Sequence, residues 1–306
     1  MNLAKRSHGF SHNILVTGSN GLLGQKIVKH CIEKGYTFLA TSKGENRNPD
    51  CPESNYFAMD ITNKLEINPV FEAFYPTHVI HTAAITNVDY CELNKEECDE
   101  VNVLATHYLF DATQRFEAYF TLLSTDFVFD GEKGDYVESD AVNPLSYYAE
   151  SKVKAEKLLL DSPYKKWAIA RTIIVFGQAH NMSRSNLVLW VYDSLKNNKE
   201  INVVTDQIRT PTWADDLALG CIALAENNAI GIYHLSGKDK VSMYDFALLV
   251  ADYFELDKSL IKATTSDTLN QPAKRPPHTG FDISKAIKDL NYNPISLKEA
   301  LGRFEF

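Results

Sequence analysis

Three short stretches carry residue types that could do redox chemistry together. Tyr148 and Lys152 stand four apart in Tyr148-Ala149-Glu150-Ser151-Lys152, so on a helix their side chains share one face. A phenol is a poor acid near its ordinary pKa of about 10. An ammonium one turn away favours the phenolate and brings proton transfer within reach of neutral pH. Ser124-Thr125-Asp126 closes an apolar run, where a hydroxyl could hydrogen-bond a reacting oxygen; Thr125 is the candidate, with Ser124 beside it. The third stretch, Gly18-Ser19-Asn20-Gly21-Leu22-Leu23-Gly24, has the spacing of a backbone that turns sharply beneath a pyrophosphate and offers it helix-start N–H groups. A tight strand-to-helix turn in any α/β protein would look similar, but a place after the first strand favours dinucleotide binding.

Such a cofactor would be sorted by the end of the second strand, where an NAD enzyme commonly puts an acid on the ribose 2′-hydroxyl. Ala40-Thr41-Ser42-Lys43-Gly44-Glu45-Asn46-Arg47 has no acid at the strand tip. Ser42, Lys43 and Arg47 could receive a 2′-phosphate, which favours NADP(H) over NAD(H), although surface lysines are commonly just solvated. Asp60 and Ile61 are expected at the adenine, and Ala83 and Ala84 are small enough for the cofactor's middle to lie close.

The elements that must position these groups follow from hydrophobic periodicity. Ile14–Val16, Thr37–Ala40, Tyr56–Ala58, His78–His81, Ala118–Leu123 and Trp167–Val175 read as strands. Helical spacing runs from Leu23 to Gly35 and over Leu65–Phe74, Glu97–Arg115 and Tyr147–Leu160. Strands alternating with helices imply an α/β fold with a doubly wound parallel sheet, a Rossmann domain. Beyond Gly177 the rhythm weakens: helices over Asn186–Leu195, Asp215–Ala225, Tyr244–Phe254 and Ile283–Leu290, strands over Ile201–Val204 and Gly231–Leu235. The expected organisation is a flexible extension over 1–12 and an NAD(P)-binding domain over 13–177, rejoined by about 211–227. Residues 178–306 would be mainly a smaller α/β substrate-binding lobe.

Composition narrows the field. The 306 residues are 44% hydrophobic and 23% charged, with a net charge of −9, which argues against disorder and against a nucleic-acid partner. No apolar run approaches the ~18 residues of a membrane span. Five cysteines without C-x-x-C spacing read as reduced thiols of a cytoplasmic protein, mostly core fillers. His78 and His81 have an odd separation that sends them to opposite faces of a strand, and no metal-ligating motif accompanies them, so no metal is expected.

With these residues in view, the chain resembles the extended short-chain dehydrogenase/reductase family, and within it the dTDP-4-dehydrorhamnose reductase group. The resemblance rests on Ile14 to Gly24, on Ser124-Thr125-Asp126-Phe127-Val128-Phe129-Asp130-Gly131 and on Tyr148 to Lys152. Asp206-Gln207-Ile208-Arg209-Thr210-Pro211-Thr212, Asp216-Leu217-Ala218 and Arg275-Pro276 extend it, so it covers nearly the whole chain. It implies NAD(P)H-dependent reduction of a 4-keto nucleotide-sugar in dTDP-rhamnose biosynthesis. Tyr148 would give its proton to the carbonyl oxygen, Thr125 would orient that oxygen, and Lys152 would lower the tyrosine pKa and hold the nicotinamide ribose. Gly18, Asn20, Gly21, Leu22 and Gly24 would cradle the cofactor, and Ser124, Asp126 and Phe127 would border the sugar. A diphosphate calls for planar bidentate donors, for which Arg184, Arg209 and Arg275 are the candidates. The chain departs from the group at Ala149, where glycine is usual, at Ile174, where a tryptophan is usual, and at Arg209, where many members have glycine.

Two other readings use the same residues. A nucleotide-sugar epimerase shares the tyrosine and lysine but holds NAD⁺ tightly, and a non-catalytic regulatory subunit could keep the cofactor cradle alone. A dehydratase is disfavoured because Phe127, not an acid, follows Asp126. Relatives suggest a monomer or homodimer.

Overall fold

The computed structural model describes residues 12–182 and 184–306; apart from His12, the extension expected over 1–12 lies outside the described residues. The first half is built largely of strand–helix units: β1 (Asn13–Thr17), α1 (Leu22–Glu33), β2 (Thr37–Ser42), β3 (Tyr56–Ala58), α2 (Lys64–Phe74) and β4 (His78–His81). Then come α3 (Val88–Leu93), α4 (Lys95–Asp99), α5 (Ala105–Arg115), β5 (Tyr119–Thr125), α6 (Tyr147–Leu160), β6 (Trp167–Thr172) and β7 (Val175–Phe176). The second half comprises α7 (Leu187–Lys196), β8 (Ile201–Val204), β9 (Ile208–Arg209), β10 (Thr212–Trp213), α8 (Ala214–Glu226) and β11 (Gly231–His234). It ends with β12 (Val241–Ser242), α9 (Met243–Tyr253), β13 (Ile261–Thr264), α10 (Ser284–Leu290) and α11 (Leu297–Leu301).

Seven strands form one sheet in the order β11-β6-β5-β4-β1-β2-β3, with every pairing parallel. This is the doubly wound arrangement the alternation implied. Its central strands read as continuous apolar runs because both faces are covered; all seven residues of β5 are buried. On one face Ile27, Val28 and Cys31 of α1 pack with Leu217, Ala218 and Cys221 of α8, each large aliphatic contributing about 1.5–3 kcal/mol. On the other face α2, α5 and α6 bury Ile67, Phe71, Leu109 and Leu159.

Three local differences from the periodicity have physical causes. Gly231–His234, read as part of the smaller lobe, hydrogen-bonds alongside β6 as the edge of the main sheet. The strand expected over Trp167–Val175 breaks at Ile174, whose φ of 31° is left-handed, an uncommon conformation for a β-branched residue. The helix expected over Glu97–Arg115 is interrupted by a π-turn at Glu100–Leu104, where buried Asn102 accepts from Ile85 N–H at 2.8 Å and donates to its carbonyl at 3.0 Å. A second core of Phe176, Val188, Val191, Phe246, Val250 and Leu301 sits in the later part of the chain, with β8 paired to β13 and β9 to β12. None of the described helices is long and apolar enough to cross a membrane.

Candidate active site

The strand order reverses between β1 and β4, and in open α/β sheets the ligand crevice lies beyond the strand ends at that point. Gly18 follows β1 there with φ +75°, and a Cβ on it would stand 2.6 Å from the Ala83 backbone nitrogen. A Cβ on Gly24 would stand 2.3 Å from the Gly18 carbonyl oxygen. Both glycines are therefore required by close backbone approach, one to the segment after β4, the other to the loop that opens α1. The first turn of α1 contains no acid, so its orphan N–H groups and dipole keep a positive field at the crevice.

The crevice is a cavity of about 560 Å³ whose lining includes Gly18, Ala84, Thr125, Tyr148, Lys152 and Arg184, ample for most of a dinucleotide's buried part. Ser146 caps α6, accepting from the Ala149 N–H, and this fixes Tyr148 and Lys152 one turn apart on the face toward β5. Thr125 ends β5 and lines the crevice with Tyr148, its hydroxyl favouring the ionised form of the phenol. Lys152 is buried, yet no acceptor among the described residues hydrogen-bonds its ammonium. A buried cation with no hydrogen-bond acceptor among the described residues, beside a glycine cradle that excludes side chains, fits a bound dinucleotide with hydroxyls to offer.

Burial governs the titration here. It pushes Lys152 down to about 8, with the Glu156 carboxylate opposing. It also holds the Tyr148 phenol well above its ordinary value, the Thr125 hydroxyl opposing. The lowering of Tyr148 by Lys152 expected from the spacing is thus not what dominates: loss of water sets the direction of the shift. His81, held between Thr17 Oγ1 at 2.7 Å and Thr106 Oγ1 at 3.1 Å, is pushed down to about 3 by burial and kept neutral.

The other expected residues scatter. Gly21, Leu22, Ala84, Asp126 and Phe127 line the crevice with those above. Asn20 reaches it by its backbone, while its side chain braces the following loop, donating to the Glu45 carbonyl at 2.8 Å and accepting from the Arg47 N–H at 2.8 Å. Ser42 accepts from the Asn20 N–H at 3.0 Å. Lys43 and Asp60, expected at the adenosine end, pair with each other at 2.7 Å, the lysine largely exposed. Ile61 is buried in the core under α2, and Ala83 packs its backbone on Gly18.

The substrate-side expectations need correction at the arginines. Arg184 lines the crevice and donates to Thr86 Oγ1 at 2.9 Å. Arg275 lies outside that lining, bidentate to Asp89 at 3.1 and 2.7 Å. Arg209 is fully buried, its guanidinium donating to the carbonyls of Ile208, Pro277 and Pro276 at 2.8, 3.0 and 2.5 Å. Its Nη groups are taken by carbonyls and the side chain is fully buried, so it has no face for a diphosphate. The Ser124 hydroxyl, in turn, donates to Glu156 at 2.5 Å.

Sequence reasoning missed the carboxylate–arginine pair behind the site and a clasp above it. Glu156 continues the Tyr148–Lys152 face by one more turn, a spacing that could have flagged it. Gln25 of α1 accepts from the His180 N–H at 2.9 Å and donates to its carbonyl at 2.7 Å, drawing the segment around His180 over the cradle; no local pattern announces this.

The geometry can be set beside known proteins. The family described as RmlD substrate binding domain matches residues 12–305. A dTDP-4-dehydrorhamnose reductase of Aggregatibacter actinomycetemcomitans is 35% identical over 302 residues, covering 94% of this chain and 96% of that protein. Methionine adenosyltransferase 2 subunit beta of Xenopus tropicalis is 28% identical over 280 residues, covering 90% of this chain and 81% of that protein. The crystal structure of the Bacillus anthracis dTDP-4-dehydrorhamnose reductase in complex with NADP superposes with a TM-score of 0.83 at 25% identity, covering 96% of this chain and 99% of that one.

Proposed function

The chain belongs to the RmlD substrate binding domain family, and from that premise we propose that this NAD(P)-dependent oxidoreductase of nucleotide-sugars reduces a sugar 4-keto group. The substrate in the names of its reductase relatives, dTDP-4-dehydrorhamnose, is the one we assign. The observation that carries this reading is the meeting of Thr125, Tyr148 and Lys152 with the glycine cradle in one cavity.

A bound nicotinamide supplies the hydride. The chain's own residues do the rest. The α1 amides and the side-chain-free surfaces of Gly18 and Gly24 hold the pyrophosphate. Lys152 holds ribose hydroxyls, and its charge favours the phenolate that forms as Tyr148 gives its proton to the sugar oxygen. Thr125 orients that oxygen and the phenol together. Arg184, at the mouth of the cavity, faces the diphosphate. Preference for NADP(H) is supported by the absence of an acid at the tip of β2 and by Lys43 and Arg47 close behind it.

The test is turnover of purified protein with a panel of 4-keto nucleotide-sugars, dTDP-4-dehydrorhamnose included, comparing NADPH with NADH. The expected result is stoichiometric cofactor oxidation with NADPH preferred. Retained NAD⁺ with no net consumption would instead indicate an epimerase, and cofactor binding without turnover a non-catalytic regulatory subunit.

A further inference from the structure

Behind the Thr125 hydroxyl lies a buried charge that the proton transfer must contend with. Thr125 donates to Asp126 Oδ1 at 3.1 Å, and both residues line the crevice with Tyr148, the Thr125 hydroxyl favouring its phenolate and the Asp126 carboxylate opposing it. The Asp126 carboxylate is 2% exposed. Its other oxygen accepts from Thr279 and stands 3.6 Å from Arg209 Nε. Arg209 is aimed by its surroundings: three backbone carbonyls take its Nη groups, the Phe127 ring lies 5.7 Å from its central carbon, and Nε has no hydrogen-bond acceptor among the described residues. The guanidinium is therefore pinned with one edge toward Asp126, its only ion-pair partner among the described residues.

When the phenol gives its proton to the sugar oxygen, the phenolic O–H bond breaks, a new O–H forms on the sugar, and a negative charge is left on Tyr148. An uncompensated carboxylate one hydroxyl away opposes that charge, and in a water-free pocket the opposition is large.

We propose that Arg209 is a positioning residue for the reduction, acting through Asp126: it offsets the carboxylate's charge so that Tyr148 can become a phenolate beside Thr125. This deepens the reductase reading above and rests on it. It also replaces the role expected for Arg209 from the sequence, that of a diphosphate ligand. The charged and titratable groups around the pair are Tyr148 of α6 and, acting on Arg209, Arg275 and Asp206; Thr125 and Thr279 hydrogen-bond Asp126.

The experiment is the ratio of kcat in each variant to wild-type kcat across about pH 5.5 to 8, with KM for the sugar measured alongside. Burial pushes the Asp126 carboxyl up and Arg209 opposes it. Without Arg209 the carboxyl is pushed higher still, and the charge it takes on as pH rises has no cation to offset it. For Arg209→Gln the ratio is expected to fall about tenfold or more toward high pH, with KM little changed. Arg209→Gln/Asp126→Asn, which removes both charges, gives a flat ratio and recovers kcat at the alkaline end. Arg209→Lys, which keeps a cation, also stays flat and serves should Arg209→Gln fail to fold. A flat ratio in Arg209→Gln, a falling one in Arg209→Lys, no recovery in the double variant, or a change confined to KM would each overturn the inference. Failure of the wild type to reduce any 4-keto sugar would instead sink the reductase reading.

Discussion

Glu156 gives both carboxylate oxygens to Arg171, at 2.9 Å from Nε and 2.7 Å from Nη2, and both side chains are 2% exposed. The pair joins α6, which carries Tyr148 and Lys152, to β6, and through the Ser124 hydroxyl to the end of β5. The catalytic helix and the strand that ends in Thr125 are thus held in register by one buried ion pair.

Breaking that pair leaves an uncompensated charge in the interior. Glu156→Gln should lower stability by about 3–5 kcal/mol, measured by denaturant unfolding at neutral pH. Replacing Glu156 with Gln and Arg171 with Met together should cost less than Glu156→Gln alone. A loss below 1 kcal/mol for the single change would mean that the pair does not carry the junction.

Tyr148→Phe removes the phenolic proton and little volume. Turnover should fall by about 10²-fold or more, while NADPH affinity, followed by cofactor fluorescence, changes less than about threefold. Unaltered NADPH oxidation would exclude Tyr148 as the donor.

Lys152 titrates as a buried cation near 8, below its ordinary 10.5. It is an ammonium below that pH and a neutral amine above it, so kcat should decline as pH rises through about 8, and Lys152→Met should lack this limb. Its effect on stability has the opposite sign. Between about 8 and 10.5 the unfolded chain binds the extra proton, so this residue's contribution to folding improves as pH rises. Denaturation midpoints across that window, compared between wild type and Lys152→Met, check the direction.

Gly24→Ala places a methyl 2.3 Å from the Gly18 carbonyl and 2.6 Å from the Ser19 Cα, with backbone on both sides and no flexible side chain to yield. The loop must move, and NADPH affinity should weaken about tenfold or more, read by fluorescence titration. An affinity within twofold of wild type would show that the cradle does not depend on this approach.

What was legible from the chain alone is what depends on near neighbours. Ile14–Val16 announces a strand covered on both faces, the spacing of Leu23, Ile27 and Cys31 a helix lying on it, and Gly18 to Gly24 the turn between them. Tyr148 and Lys152 are on one face because 3.6 residues make a turn, wherever that helix ends up. These features are properties of the local backbone and its periodicity, so sequence by itself determined them. Tertiary structure decided everything that depends on which distant groups share a water-free space. Arg184, Arg209 and Arg275 look alike in sequence, yet one lines the crevice, one is spent on three carbonyls and Asp126, and one on Asp89. Cys91 and Cys98 lack any motif spacing, yet their sulfurs lie 2.7 Å apart behind Tyr148. Even the direction of the Tyr148 shift followed from burial, which no spacing reveals. A charge has no periodicity: its role is set by whichever opposite charge or carbonyl the fold brings to it, and only the folded chain makes that choice.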